Sequence, residues 1–368
     1  MDTATALQVA TNFLQQKMIQ KAGGVPQLTA MPAYCRQHQG APTYYIINFS
    51  GSGGWVIVGG QDFAFPVLAY NTDGSIETDP ALVNPAARSR LNRYHTEIAE
   101  GISAGRSADK AQSALWQTAL SSSAAAVPGK SASGPLCTTI WDQDCNDNNS
   151  CPLMAGGPCG HALVGCVATA MGQVMKYYDY PARGTGSHSY THSSLGTISA
   201  SFSYAFDWDN MPDNLTVTTT DVDELLFRCG VAVEMNYGTG VSLAYHSDVE
   251  GALQDYFYYN TSVAQKKRSS YTTANWKTLM RNEIIAGRPV IYRGCDVGGA
   301  GCHAWVLDGY DDSYLGSGSL YFHQNWGWGG SSDGWFLIDD LTPGGFDFND
   351  DEYAMTGIVP LESDPKPL

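Results

Sequence analysis

Residues 165–181 read GCVATAMGQVMKYYDYP. Apolar side chains at helical spacing predict a helix from Cys166 to Tyr178, stopped by Pro181, whose ring cannot continue one. The helix opens on a cysteine that directly follows a glycine. A structural thiol would fit anywhere along a buried helix face, whereas a reactive one gains from the first turn. There the unpaired backbone N–H groups and the positive end of the helix dipole favour thiolate over thiol. Gly165 lets the chain turn sharply and lets another group come close to the sulfur. On this segment alone both readings stand.

The rest of the chain shifts the balance. A nucleophilic cysteine needs a base within hydrogen-bond reach, and the base needs a partner that orients it. In GAGCHAWVLDGYDD (299–312), His303 opens an apolar strand after a flexible loop. It lies 137 residues after Cys166, inside the spacing of papain-type Cys and His pairs. Asn325 follows 22 residues later, in HQNWGWGGSSDGW (323–335). An asparagine amide oxygen can accept from an imidazole and fix its tautomer, and the adjacent Trp326 can shield that bond from water. Seven other histidines exist, but His303 stands out by order, spacing and context together.

Composition narrows the class. The 368 residues suffice for two domains, and a hydrophobic content of 43% is ample for real cores. No apolar run approaches the ~18 residues of a membrane span, and the charged termini show no signal-peptide core, so the sequence is expected to be a soluble mature protein or one that lacks its leader. Residues 1–128 hold 8 Lys/Arg and 8 Asp/Glu, so the remainder, 12 against 28, carries the whole net charge of −16. A phosphate-binding surface needs the opposite sign, which argues against nucleic acid as partner. Nine cysteines, 40 glycines, 21 tyrosines and only 15% charged residues suit a secreted or periplasmic protein in which disulfides persist. An odd cysteine count leaves at least one thiol unpaired within a monomer.

Along the chain, residues 3–17 show helical periodicity. YYIINFSGSGGWVIVGG (44–60) reads as a hairpin, FPVLAYNTDGSIE (65–77) as a third strand, and NPAARSRLNRYHTEIAEGI (84–102) as a polar-faced helix. This small α+β unit is followed by SSSAAAVPGKSASGP (121–135), a linker of small residues open to proteolytic nicking. Beyond it come three predicted helices, at 166–178, in DVDELLFRCGVAVEM (221–235) and in ANWKTLMRNEIIAGRP (274–289), and then five predicted strands after Pro289. A mainly helical half precedes a mainly β half, so the fold class is α+β.

The segments at 165–181, HAWVLDGYDD (303–312) and NWGWGGSSDGWF (325–336) resemble those of streptopain-type cysteine peptidases, the streptococcal pyrogenic exotoxin B family, and the resemblance covers nearly the whole chain. It implies a papain-like two-lobed catalytic domain at 136–368, an inhibitory prodomain at 1–120, and maturation cleavage within the linker 121–135. It also implies a secreted endopeptidase made as a self-inhibited zymogen, autocatalytic maturation, and a preference for a hydrophobic side chain two residues before the cut. Protein or peptide substrates and its own prodomain would be its partners, with no cofactor, metal, membrane or nucleic acid.

Carried over by residue, Cys166 is the nucleophile and His303 the general base and acid. Asn325 and Trp326 match the family's Asn-Trp, and the resemblance leaves open which of the two orients His303. Gln143, in TIWDQDCNDN (139–148), matches the glutamine whose side-chain NH₂ joins the Cys166 N–H in an oxyanion hole. The sequence departs from the pattern at Cys302, where the family tends to have glycine, and in the acidic segment 342–353. A Cys295–Cys302 bridge would stiffen the loop beside the active site.

Two other readings compete. Cys137, Cys145, Cys151, Cys159 and His161 offer soft ligands for a metal, but they lack the close C-x2–4-C pairs of zinc sites. The many tyrosines and tryptophans would also suit a non-catalytic, aromatic-rich extracellular binding module. Finally, a near-neutral prodomain cannot cap an acidic catalytic part by bulk charge, so apolar packing should dominate their contact.

Overall fold

Side chains on a strand alternate between its two faces. In residues 302–311 this puts Trp305 and Leu307 into one hydrophobic core and Ala304 and Val306 into a second. The structure, a computed structural model, describes residues 1–22, 27–51, 53–79, 81–121, 131–295, 301–314, 319–338 and 351–361. The N-terminal unit comprises α1 (Thr3–Ala22), β1 (Tyr34–His38), β2 (Ala41–Asn48), β3 (Trp55–Gly59), β4 (Val67–Asn71), α2 (Pro85–Ser103) and α3 (Lys110–Leu120). After it come β5 (Ala132–Ser133), α4 (Cys166–Tyr178), the hairpin β6 (Ser187–His192) and β7 (Gly196–Ser201), α5 (Thr220–Ala232) and α6 (Asp248–Phe257). The remainder is β8 (Ala264–Lys267), α7 (Thr273–Ile285), β9 (Val290–Cys295), β10 (Cys302–Asp311), β11 (Tyr321–Asn325), β12 (Gly334–Leu337) and β13 (Tyr353–Thr356).

The predicted helices and strands form where periodicity placed them. Most of the linker, 122–130, lies outside the described residues, as does most of the acidic segment 342–353. The helix α3 was not expected, although Asp109 and Gln112 close a reciprocal capping box at its start. The β6–β7 hairpin was not expected either.

The sheet does not stop where the N-terminal unit ends. Its order is β1-β2-β3-β4-β12-β11-β10-β9-β13-β8, with β5 paired to the far end of β10. The seam is antiparallel, Trp335 opposite Tyr70 and Phe336 opposite Ala69. One core follows the sheet across it, joining Phe13, Trp55 and Tyr94 to Trp305, Trp326 and Phe336. The second core packs α4, α5 and α6 on the other face of β9 and β10. This gives a two-lobed half, helices on one side and antiparallel sheet on the other, with an α+β unit joined to its sheet. No helix among the described residues is long and apolar enough to cross a membrane.

Apolar packing is only part of that graft. Polar residues of α2 that read as a solvated face are buried. Arg90 and Arg93 reach Glu352 at 3.0 and 2.9 Å, and Glu352 also accepts from the Tyr292 hydroxyl at 2.7 Å. A second anchor joins Lys17 of α1 to Asp311 of β10, to which the Tyr70 hydroxyl also donates. Burial pushes the Asp311 carboxyl up, but Lys17 and the Ser313 and Tyr70 hydroxyls outweigh it and hold the group below the ordinary carboxylate range.

Candidate active site

Gly165 has φ +92°, and a Cβ there would stand 2.7 Å from the Met235 side chain. Only glycine fits, and the turn it makes starts α4 at Cys166. The Cys166 sulfur, half-buried, accepts a hydrogen bond from the Ala304 N–H at 3.4 Å. The first turn of α4 therefore abuts the start of β10, one residue from His303, which sits half-exposed opposite Gly294 of β9. Burial pushes the Cys166 thiol above its ordinary range. The N–H groups of Ala304, Val167 and Cys166 and the Arg293 guanidinium pull it down without prevailing. In the intact chain the sulfur favours its protonated form.

Gln143 is buried beside the same helix start. Its carbonyl accepts from Val164 N–H at 2.9 Å, and its side-chain NH₂ donates to Gly327 O at 3.4 Å. Gly327 follows Asn325 and Trp326, so the oxyanion-hole candidate and the Asn-Trp pair are tied together. Asn325 Oδ1 accepts from Gln173 Nε2 at 3.1 Å and from Gly327 N–H at 3.2 Å, while its NH₂ donates to Thr139 O at 2.6 Å. Those two bonds occupy both lone pairs of the oxygen that would orient an imidazole. In this state Asn325 braces α4 through Gln173, seven residues or two turns beyond Cys166. Trp326 is fully buried against Trp305, with ring centroids 5.0 Å apart. Sequence reasoning passed over Gln173, although a glutamine on the buried face of an apolar helix is itself a signal.

The disulfides revise the cysteine argument. Cys295–Cys302 forms across the β9–β10 hairpin, immediately before His303, and Arg293 donates to both sulfurs at 3.1 Å. The loop it closes, 296–300, lies outside the described residues. Cys145–Cys159 forms within the cluster. Cys35, Cys137, Cys151, Cys166 and Cys229 stay free, so the odd count does not single out Cys166. What separates it is placement: Cys137, Cys151 and Cys229 are fully enclosed, and burial pushes each thiol far up. The zinc reading fails on the same facts, because two of its four sulfurs are spent on one disulfide. Among the described residues no group of three or more His, Cys, Asp or Glu side chains is placed to hold a metal.

Comparison with known proteins shows the family. Residues 141–336 match the peptidase C10 family, and residues 1–98 match the Spi protease inhibitor family. Streptopain of Streptococcus pyogenes is 30% identical over 343 residues, covering 86% of this chain and 80% of streptopain. The thiol protease/hemagglutinin PrtT of Porphyromonas gingivalis is 29% identical over 378 residues, and this chain spans 42% of its length. A mutant fragment of Prevotella intermedia prointerpain A superposes with a TM-score of 0.69 at 29% identity, covering 93% of this chain and 99% of the fragment. Active interpain A covers 62% of this chain and 95% of its own, with a TM-score of 0.53 at 35% identity. With its peptidase half matched from Trp141 to Phe336 and an inhibitor-like unit ahead of it, the chain belongs to the peptidase C10 family.

Proposed function

We propose that the chain is the zymogen of a secreted cysteine endopeptidase, with the inhibitory prodomain at 1–120, the maturation region at 121–135 and the catalytic domain at 136–368. The observation that carries the reading is the Ala304 N–H to Cys166 Sγ hydrogen bond, which sets a helix-start cysteine against the strand that bears His303.

The chemistry follows from those roles. His303 takes the thiol proton as the Cys166 sulfur attacks the scissile carbonyl carbon, and the carbonyl π electrons move onto oxygen. Gln143 NH₂ and the Cys166 N–H donate to that oxyanion. The tetrahedral intermediate collapses, the C–N bond breaks, and His303 returns the proton to the leaving amine. Water, deprotonated by His303, then hydrolyses the thioester and regenerates the thiol. The family resemblance supports a preference for a hydrophobic side chain two residues before the cut. Protein or peptide substrates and the prodomain are the partners of this reading, and autocatalysis is its route to maturation.

Incubating the chain with a reductant, beside its Cys166→Ala variant, tests the proposal by mass. The wild type alone is expected to give a fragment of about 26 kDa and to be captured by an epoxide inhibitor at Cys166. A wild type that neither converts nor labels would refute it.

A further inference from the structure

Behind the Asn325–Trp326 corner lies a set of titratable groups that the proposed chemistry does not use. The β10–β11 register slips between Leu307 and Gly309, which leaves Asp308 in a bulge without a strand partner. A bulge re-aims its side chain. The Asp308 carboxylate, fully buried, meets His323 Nδ1 of β11 at 2.6 Å through one oxygen and accepts from Cys137 N–H at 2.9 Å through the other. His323 stands two residues before Asn325, its ring edge-on to Trp335 at 5.2 Å between centroids. Across the turn from β11 to β12, Asp333 Oδ1 accepts from the Trp326 N–H at 2.9 Å. Trp326 Nε1 donates to Ser332 O at 2.8 Å, so both nitrogens of Trp326 are tied to the end of that turn.

We propose that His323 is a positioning residue for the Asn325–Trp326 corner: Asp308 grips its ring from β10 and so holds β11 two residues before Asn325, while Asp333, beyond the turn, holds the Trp326 backbone. This rests on the catalytic reading above and extends it to groups that touch no substrate.

The electrostatics agree with the geometry. Burial works against a charged His323, but Asp308 and then Asp333 outweigh it, and the imidazole is held above its ordinary range. Burial raises Asp333 to about 7, with Asp308 and Asp142 adding to the rise, while His323 and the Trp326 N–H oppose it. Three carboxylates and one imidazole thus share the region, and His323 is the main group opposing the rise of Asp333. An ionised carboxylate accepts more strongly from an N–H than a neutral acid does. Without the His323 charge, Asp333 would hold its proton to higher pH and grip Trp326 less firmly.

The test uses matured enzyme and a fluorogenic peptide, with kcat and KM followed from about pH 5 to pH 9. His323→Gln keeps a donor toward Asp308 and removes the charge. It is expected to lower kcat by about 10- to 100-fold with KM little changed, because a small displacement at the site costs rate rather than binding. The acid limb of its kcat profile is expected to move to higher pH. Asp333→Asn, which leaves the Asp308–His323 pair in place, is expected to lose the part of that limb due to Asp333, and so decides the matter if the histidine variant does not fold. Unchanged kcat and an unmoved limb in both variants would overturn the proposal, as would a rise in KM at constant kcat. A wild type without peptidase activity or labelling at Cys166 would instead sink the catalytic reading, and this proposal with it.

Discussion

Cys166 sits among groups that pull its proton affinity in opposite directions, and the intact chain leaves burial ahead. Arg293 is the one full positive charge among the groups named as opposing it, since the others are backbone N–H groups. Arg293→Met should therefore raise the thiol further, moving the pH at which iodoacetamide alkylates Cys166 in the intact chain upward. An alkylation profile identical to wild type would show that Arg293 serves only the Cys295–Cys302 bridge. Gln143 allows a sharper test, because its side chain now donates to Gly327 at a long 3.4 Å and could be recruited by an oxyanion at little cost. Gln143→Ala in the matured enzyme is expected to lose roughly 100- to 1,000-fold in kcat, the scale of one oxyanion-hole donor. A loss under about tenfold would return Gln143 to the role of a loop residue.

Among the elements, the loop that carries Gln143 bears an unusual burden of buried acid. Burial raises Asp142 to about 6, Asp147 to about 8 and, from α5, Asp223 to about 7, with neighbouring carboxylates adding to each. The ordinary, unfolded value is 3.8, so between that pH and about 8 these carboxyls bind more protons in the folded chain than in the unfolded one. Such groups contribute stability that is present at low pH and lost as pH rises through their folded values. The thermal midpoint of Cys166→Ala, which cannot mature, is thus expected to fall as pH rises from about 6.5, the ordinary value of the half-buried His95 and the buried His246, to 8. Asp147→Asn keeps the oxygen that accepts from Asp142 N–H at 3.2 Å and should flatten the upper part of that fall. A midpoint that climbs over this range would contradict the assignment. Nothing local announced this burden, since the same DQDCND run reads as a solvated acidic turn. Helix α4 was legible because its apolar spacing, its glycine and its proline all lie within 17 residues. The hairpin β6–β7 was not, because SHSYTH and GTISAS alternate small polar residues with few apolar ones.

For the whole molecule, what the sequence could carry was the order of Cys166, His303 and Asn325, because order and spacing survive without any contact being known. What it could not carry was the seam. Arg90 and Arg93 look like the outer face of a helix until Glu352, 262 and 259 residues later, closes over them. The Tyr70–Trp335 pairing has the same non-local origin. The expectation of a chiefly apolar contact was therefore incomplete, because the shared core is pinned by buried charge.

That arrangement has a consequence for maturation. Salt screens charges exposed to solvent far more than buried pairs, and a continuous sheet and core do not depend on the linker. If Cys166→Ala is nicked in the linker by an added protease, the two pieces are expected to co-elute on gel filtration in low and moderate salt alike. Glu352→Gln removes the buried carboxylate that both guanidiniums share. Breaking a buried pair in this way costs about 3–5 kcal/mol. The nicked pieces of this variant should then separate, and the full-length variant with Cys166 restored should mature faster than wild type. Nicked pieces of Cys166→Ala that part in moderate salt would mean the ion pairs are open to solvent, and that the seam alone does not hold the prodomain to its peptidase.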